Sequence, residues 1–245
     1  MQAPGYRSRI YGHYVHGRTQ PLAPDSIAGL KPRRAYLRKL IRDHFPPDRD
    51  SVIIDLGCGH GAIIHSAREA GYRHIVGTDT SPEQVAAAQR LGIAGVREGD
   101  LTETLKSLPD GSQDAVIAFD VIEHFTKDEL LVLVDEVCRV LKPGGRWILH
   151  SANGESPFFG RVLYGDFTHE LAFTQASLGQ LLLTSGFSRL ACYEDEPVPH
   201  GLKSAVRWVL WKMIRAGLRL YIAVETGDLG RKAIFSQNLI AVAIK

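Results

Sequence analysis

The ten residues Val52 to Gly61, Val-Ile-Ile-Asp-Leu-Gly-Cys-Gly-His-Gly, restrict the possible fold of this 245-residue chain more than any other stretch. Val52, Ile53 and Ile54 are β-branched and apolar, the pattern of a buried strand. The run then breaks into glycines at alternate positions, and a segment of helical character begins at Ala62. The predicted unit is strand, tight loop, helix start. Glycines let the backbone turn sharply and let a ligand approach closely, while the helix amino end offers unpaired N–H groups. A nucleotide-like ligand suits such a loop. The dinucleotide fingerprint requires G-x-G-x-x-G, whereas Gly57, Gly59 and Gly61 are spaced G-x-G-x-G behind an acidic Asp55. A carboxylate at the mouth would repel a pyrophosphate and accommodate an amino group or a sulfonium.

Downstream, strands alternate with helices. A strand over His74–Thr78 delivers Asp79, where an acidic side chain holds a ribose diol by bidentate acceptance. Ser81-Pro82-Glu83-Gln84 predicts a helix start, with Ser81 as N-cap, Pro82 at the first helical position and Gln84 closing a capping box. A third strand near Ala94–Glu98 ends in Gly99-Asp100-Leu101. The fourth, Asp114–Phe119, leads into Asp120-Val121-Ile122-Glu123-His124-Phe125, at the carboxyl end of a central strand beside the switch point where open α/β sheets bind ligands. Thr126 with Glu129 caps a helix to about Leu141. Lys142-Pro143-Gly144-Gly145 ends it, and the fifth strand covers Gly145–His150, with Gly145 avoiding a side chain at a crowded corner. The connection from Ser151 to Thr174 is long enough to signal function.

Strands over Phe187–Glu194 and Asn238–Ile244 are separated by an insertion in which 205–224 reads as one helix. Val206, Val209, Leu210, Met213 and Leu220 form an apolar stripe; Lys203, Arg207, Lys212, Arg215 and Arg219 lie elsewhere. So many cations exclude a membrane-spanning role. The expected role is packing against the domain, the alternative being contact with an anionic membrane surface or a phosphate-bearing acceptor. At the amino end, Pro32 to Phe45 forms an amphipathic helix stopped by Pro46-Pro47 and expected at the sheet edge. Before it, residues 1–30 mix Tyr6, Tyr11, His13, Tyr14, His16 and Arg18 without a period, as in a terminal arm.

The acidic residue before G-x-G-x-G, Asp79, Asp100, the Asp120–His124 stretch and Leu141-Lys142-Pro143-Gly144-Gly145 together resemble the class I S-adenosylmethionine-dependent methyltransferases, in particular small-molecule O-methyltransferases of the type 11/23 domain family. The resemblance implies an α/β fold: a Rossmann-like, seven-stranded, mostly parallel sheet with an antiparallel last strand and helices on both faces. It divides the chain into an arm and lid helix (1–48), a core (49–196 and 236–245) and a helical insertion (197–235). It implies S-adenosyl-L-methionine as cofactor, contacted by Asp55, Gly57, Cys58, Gly59, Gly61, Asp79, Thr80, Asp100, Leu101, Asp120 and Val121. Asp100 would accept from the adenine amino group while the Leu101 N–H meets the ring. Cys58 reads as a small loop residue, not a nucleophile.

Methylating an alcohol requires removal of its proton, for which a neutral histidine is well tuned near pH 7. His169 is the first candidate, with Glu170 to orient its ring; His124 is second, with Glu123 beside it. Asp120, Glu123, His124 and His169 also resemble the Mg²⁺ site of small-RNA 2′-O-methyltransferases and ubiquinone-biosynthesis O-methyltransferases. A hard ion tolerates carboxylates better than imidazoles, so metal is not favoured. A net charge of +2 gives no bulk argument for nucleic acid. The resemblance implies a small-molecule acceptor such as a sugar or phenol. An RNA 2′-O-methyltransferase would require a basic track, and a silent nucleotide-binding module is the third class. Cys58, Cys138 and Cys192 form no motif, and the amino terminus has no apolar signal core, so the expected location is the cytoplasm.

Overall fold

The computed structural model describes Tyr6, Ile10, residues 23–228, Gly230 and residues 232–245. Helix α1 (Lys31–His44) precedes β1 (Val52–Leu56), α2 (Ala62–Glu69), β2 (His74–Asp79), α3 (Pro82–Arg90), β3 (Val96–Glu98), α4 (Leu101–Lys106) and β4 (Gln113–Phe119). Then follow α5 (Lys127–Val140), β5 (Leu141–Ala152), α6 (Phe159–Leu163), α7 (Gln175–Thr184), β6 (Arg189–Glu194), α8 (Leu202–Thr226) and β7 (Asn238–Ile244).

The seven strands form one sheet in the order β3-β2-β1-β4-β5-β7-β6, parallel except for β7, which runs antiparallel to both neighbours. Successive side chains of a strand point to opposite faces, so a sheet covered on both sides needs apolar residues at every position. Ile54, Leu56, Val116, Ala118, Trp147 and Leu149 face one way and pack with α4, α5 and α7. Ile53, Ala115, Ile117 and Ile148 face the other way and pack with α1, α2 and α3. The apolar run Val52–Ile54 that opens β1 is thus the signature of its central place.

Helix α1 corrects one expectation. Leu37, Leu40 and Ile41 cover Ile53, Ile117, Ile148 and Ile240, so the helix lies across the middle of a face and not along the sheet edge. Its stripe covers central residues that the crossover helices leave open, and Arg146 of β5 fixes its end by donating to the carbonyls of His44 (3.0 Å) and Phe45 (3.3 Å). The cap before α3 is a second correction. Ser81 precedes the helix, but its hydroxyl makes no cap bond and no box with Gln84 forms, because Asp79 takes the Ser81 N–H instead. At Thr126 and Thr174 the reciprocal boxes do form, with Glu129 and Ser177. The crowded corner at Gly145 is real: a Cβ there would lie 2.8 Å from the Lys142 carbonyl oxygen.

The direction in which successive strands are added to the sheet reverses between the parallel neighbours β1 and β4. The first half steps outward through β2 and β3, the second through β5, leaving a crevice at the carboxyl ends of β1 and β4. The insertion carrying α8 leaves the sheet at the same rim, since Glu194 pairs with Leu239 and Ala152 with Asn238.

Candidate active site

That crevice is a cavity of about 800 Å³. On one side stands the glycine loop. Gly57, Gly59 and Gly61 have φ of 66°, 54° and 81°, a region L-residues rarely enter. Gly57 also has no room for a side chain, since a Cβ would approach Val121 Cγ2 to 2.5 Å. Asp79 secures the loop from β2. Its Oδ2 accepts from the Gly59 N–H at 2.7 Å and its Oδ1 from the Ser81 N–H at 2.8 Å. Burial raises the Asp79 carboxyl above its ordinary range against the pull of those two bonds. Asp100, on the wall beyond, caps α4 by accepting from the Glu103 N–H at 2.9 Å.

Of the residues predicted to hold the cofactor, Gly57, Gly59, Asp79, Thr80, Asp100, Leu101, Asp120 and Val121 line the cavity, whereas Asp55, Cys58 and Gly61 do not. Gly61 instead begins α2. Cys58 is turned towards Gly77, and burial drives its thiol strongly upward. Asp55 stands in the core behind the loop, 1% exposed, and neither carboxyl oxygen has a hydrogen-bond partner among the described residues. Burial, reinforced by the charge of Asp79, pushes it well above the carboxylate range. It therefore presents no anionic mouth to a ligand, contrary to its expected position.

The second side is built after β4. Asp120 has φ of 55°, a strained conformation for a residue with a side chain. Its N–H donates to the His150 carbonyl at 3.0 Å, and its Oδ1 meets His150 Nδ1 at 2.6 Å. The other nitrogen of His150 meets Asp195 Oδ2 at 3.3 Å, and its ring stacks on Phe119. Burial opposes charge on His150, but the two carboxylates prevail and push it up to about 10. For Asp120 burial pulls upward, yet the charge and hydrogen bond of His150 bring it below its usual value. No spacing in the sequence pointed to His150 or Asp195, because their partners are separated from them by whole elements.

Glu123 is buried and accepts from the Ser151 hydroxyl at 2.9 Å. Burial, then the charge of Asp120, raises it to about 8, so it holds its proton near neutrality. Its carbonyl accepts from the N–H groups of Glu170 (2.7 Å) and Leu171 (3.1 Å), docking the connection between Ser151 and Thr174 onto the site. That loop brings His169 to His124, ring centroids 4.7 Å apart. His169 Nδ1 lies 3.0 Å from the Val162 carbonyl, which can only accept, so Nδ1 carries the hydrogen. Thr168 donates to Asp166 Oδ1 at 2.6 Å and must therefore accept from His124 Nδ1, 2.9 Å away. In its neutral form each ring is thus fixed with Nε2 as the acceptor. Burial first, then the neighbouring His169, lowers His124 to about 4.

One expectation fails here. Glu170 does not orient His169; its carboxylate accepts from the Tyr6 hydroxyl, and Val162 orients the ring. Asp120, Glu123, His124 and His169, the alternative metal set, are not brought together as ligands in this structure. Their atoms face His150, Ser151, Thr168 and Val162, and no group of three or more such ligands converges among the described residues.

A family profile described as a methyltransferase domain matches residues 54–149, which contain the glycine loop, Asp79, Asp100 and the Asp120–His124 stretch. The chain carries a class I S-adenosylmethionine-dependent methyltransferase domain. A Mycolicibacterium smegmatis protein described as a probable S-adenosylmethionine-dependent methyltransferase is 32% identical over 136 residues, covering 55% of this chain and 51% of that one. A ubiquinone biosynthesis O-methyltransferase from Xanthomonas oryzae is 28% identical over 117 residues, 46% of this chain and 48% of the relative. The matches thus span about half the length of these relatives. In fold, the chain superposes on an Archaeoglobus fulgidus S-adenosylmethionine-dependent methyltransferase with a TM-score of 0.66 at 20% identity, covering 97% and 99% of the two chains.

The residues present fit the family's cofactor, S-adenosylmethionine. Besides the glycine cradle, Ser81 Oγ belongs to a cavity-lining residue and has no hydrogen-bond partner among the described residues. A buried polar atom left in this way matches a ligand with hydroxyl or amino groups.

Proposed function

We propose that this methyltransferase domain methylates a hydroxyl oxygen of a small acceptor seated between the glycine loop and the His124–His169 pair, with His169 as general base. When bound, S-adenosylmethionine supplies an electrophilic methyl group. The protein's part is to align the acceptor, exclude water and take up the hydroxyl proton. The observation supporting this reading is the fixed tautomer of His169, whose Nδ1–H is held by Val162 and whose Nε2 is left as acceptor on the wall of the cavity. His124 is not assigned that role, because a group that titrates near 4 takes up a proton poorly at neutral pH.

A sugar or phenolic acceptor suits a cavity whose acceptor side combines Phe125 and Val132 with Asp166 and His169. Tyr6, bonded to Glu170 and edge-on to Phe167 at 6.1 Å, is suited to act as part of a lid over that side. Tyr11, His13, Tyr14, His16 and Arg18 lie outside the described residues. An RNA acceptor has weaker support, since Lys212 and Arg215 of α8 are engaged by Glu196 and Glu194. A reducing cytoplasm agrees with the three free cysteines.

The test is production of S-adenosylhomocysteine with panels of hydroxyl and amine acceptors. Wild-type protein should turn over a hydroxyl compound, and His169→Ala should lower kcat by roughly 10²- to 10⁴-fold without changing cofactor affinity. Turnover of amines alone, or full activity of the variant, would overturn the reading.

A further inference from the structure

Helix α8 presents its apolar stripe to solvent. The side that meets the domain contains Ser204, Trp208, Trp211, Arg215, Leu218 and Ile222, all half-buried and spaced by three or four residues. Lys212 and Arg215 attach this side through Glu196 at 2.8 Å and through Glu194. On the opposite side stand Leu202, Val206, Val209, Leu210, Met213, Ile214, Leu220, Tyr221 and Val224, with exposures from 50% at Val209 to 83% at Leu202. No residue of this 25-residue helix is fully buried. The expectation that the stripe packs against the domain is therefore reversed: the aromatic and basic side packs, and the aliphatic side is open. A contiguous aliphatic face of this length on a soluble surface marks an interaction site.

Charge indicates the occupant. Lys203, Arg207, Lys212, Arg215 and Arg219 stand against Glu225, the helix's sole acid, and Lys203 and Arg207, one turn apart and exposed, border the stripe. An aliphatic face bordered by cations is the form of a helix lying in the headgroup region of an anionic bilayer. Among the described residues no helix is long and apolar enough to cross a membrane, consistent with a surface position. A second copy fits less well. One helix face about 37 Å long and about 10 Å wide buries under about 800 Å² in total from two copies, below the ~1,200 Å² at which stable interfaces begin.

We propose that the outer face of α8 docks this protein on an anionic lipid bilayer. Because the insertion leaves the sheet at its carboxyl rim, docking holds the cavity side of the molecule near the headgroups. The proposal does not depend on the identity of the methyl acceptor.

The experiment is cosedimentation with vesicles of phosphatidylcholine alone and of phosphatidylcholine with phosphatidylglycerol, at low and high salt. Wild-type protein should partition at least tenfold more strongly onto the anionic vesicles, and added salt should weaken this. Leu210→Glu/Met213→Glu and Lys203→Glu/Arg207→Glu should each reduce partitioning at least tenfold, while calorimetry shows wild-type affinity for S-adenosylhomocysteine. Failure to bind anionic vesicles, equal binding to neutral ones, or binding that survives both double variants would overturn the proposal. So would a wild-type dimer, measured by light scattering without lipid, that Leu210→Glu/Met213→Glu converts to monomer.

Discussion

Asp79 joins the two halves of the cofactor cradle, and removing it should be costly twice over. Its carboxylate accepts two backbone N–H bonds at 2.7 and 2.8 Å, from Gly59 in the glycine loop and Ser81 before α3. Hydrogen bonds to charged groups contribute about 1.5–3 kcal/mol each, and the two donors in Asp79→Ala border a cavity that water reaches. The lower end applies, giving a loss of about 2–4 kcal/mol in folding stability, or roughly 5–15 °C in Tm for a chain of this size. Each carboxylate oxygen has a second lone pair for a ribose hydroxyl. Losing those contacts should weaken S-adenosylhomocysteine binding by a further ~2–4 kcal/mol, about 30- to 1,000-fold. Asp79→Asn separates the effects: it retains one acceptor oxygen but turns an NH₂ towards a backbone donor. Thermal unfolding followed by circular dichroism gives the first quantity and calorimetry the second. Wild-type protein should also discriminate against a 2′-deoxy analogue of the ligand, and both variants should lose that discrimination. Wild-type affinity in Asp79→Ala, or undiminished preference for the diol, would refute the assignment.

Gly57→Ala combines a left-handed backbone at 66° with a Cβ 2.5 Å from Val121, whereas Gly111→Ala, at 57°, meets no atom within 4 Å. Denaturant unfolding should therefore show about 1–2 kcal/mol lost at Gly111 from backbone strain alone and a larger loss at Gly57, together with weakened cofactor binding; equal losses would refute the close approach. Glu123, raised to about 8 in the folded protein, is raised above its unfolded value near 4.5, so folding favours its protonated form. That contribution is fully present below about 4.5 and is lost as pH rises through about 8; Glu123→Gln should flatten the decline in stability over this window, and an unchanged pH profile would count against it. His150, raised to about 10, adds a loss between about 6.5 and 10 that should remain in Glu123→Gln and disappear in His150→Gln.

The sheet was legible because its central strands need apolar residues on both faces, which makes Val52–Ile54 and Ala115–Phe119 stand out as continuous runs. The turns were legible where glycine is sterically required. The histidine site was legible only in part. His124 and His169 could be named because each lies in a segment expected at the crevice, but the groups fixing their tautomers are the Val162 carbonyl and Thr168, neither of which has a sequence signal. His150 was missed because its carboxylate partners come from the end of β4 and from the chain after β6. The direction of α8 was misread for another reason. Periodicity reveals that a helix has an apolar face, but not which face meets the domain, and here Glu194 and Glu196 draw the basic side inward.

Asp55 shows how the same family can be reached by a physical argument that the structure revises. Its charge was expected to repel a diphosphate and attract a sulfonium, yet it is buried, lacks a hydrogen-bond partner among the described residues and is driven towards its neutral form. A carboxyl buried behind the loop and absent from the cavity wall makes no contact with a ligand there. Selection among nucleoside ligands must then rest on shape and on hydrogen-bond acceptors at the surface of the cavity. The G-x-G-x-G turn brings Gly57 against Val121, and Asp79 spans Gly59 and Ser81, placing acceptor oxygens on the crevice floor. A pyrophosphate needs a floor of N–H donors, and Asp79 already occupies the Gly59 and Ser81 amides. Exclusion of the dinucleotide therefore follows from donors that are already taken, and Asp55→Asn should leave the preference for S-adenosylmethionine over NAD intact.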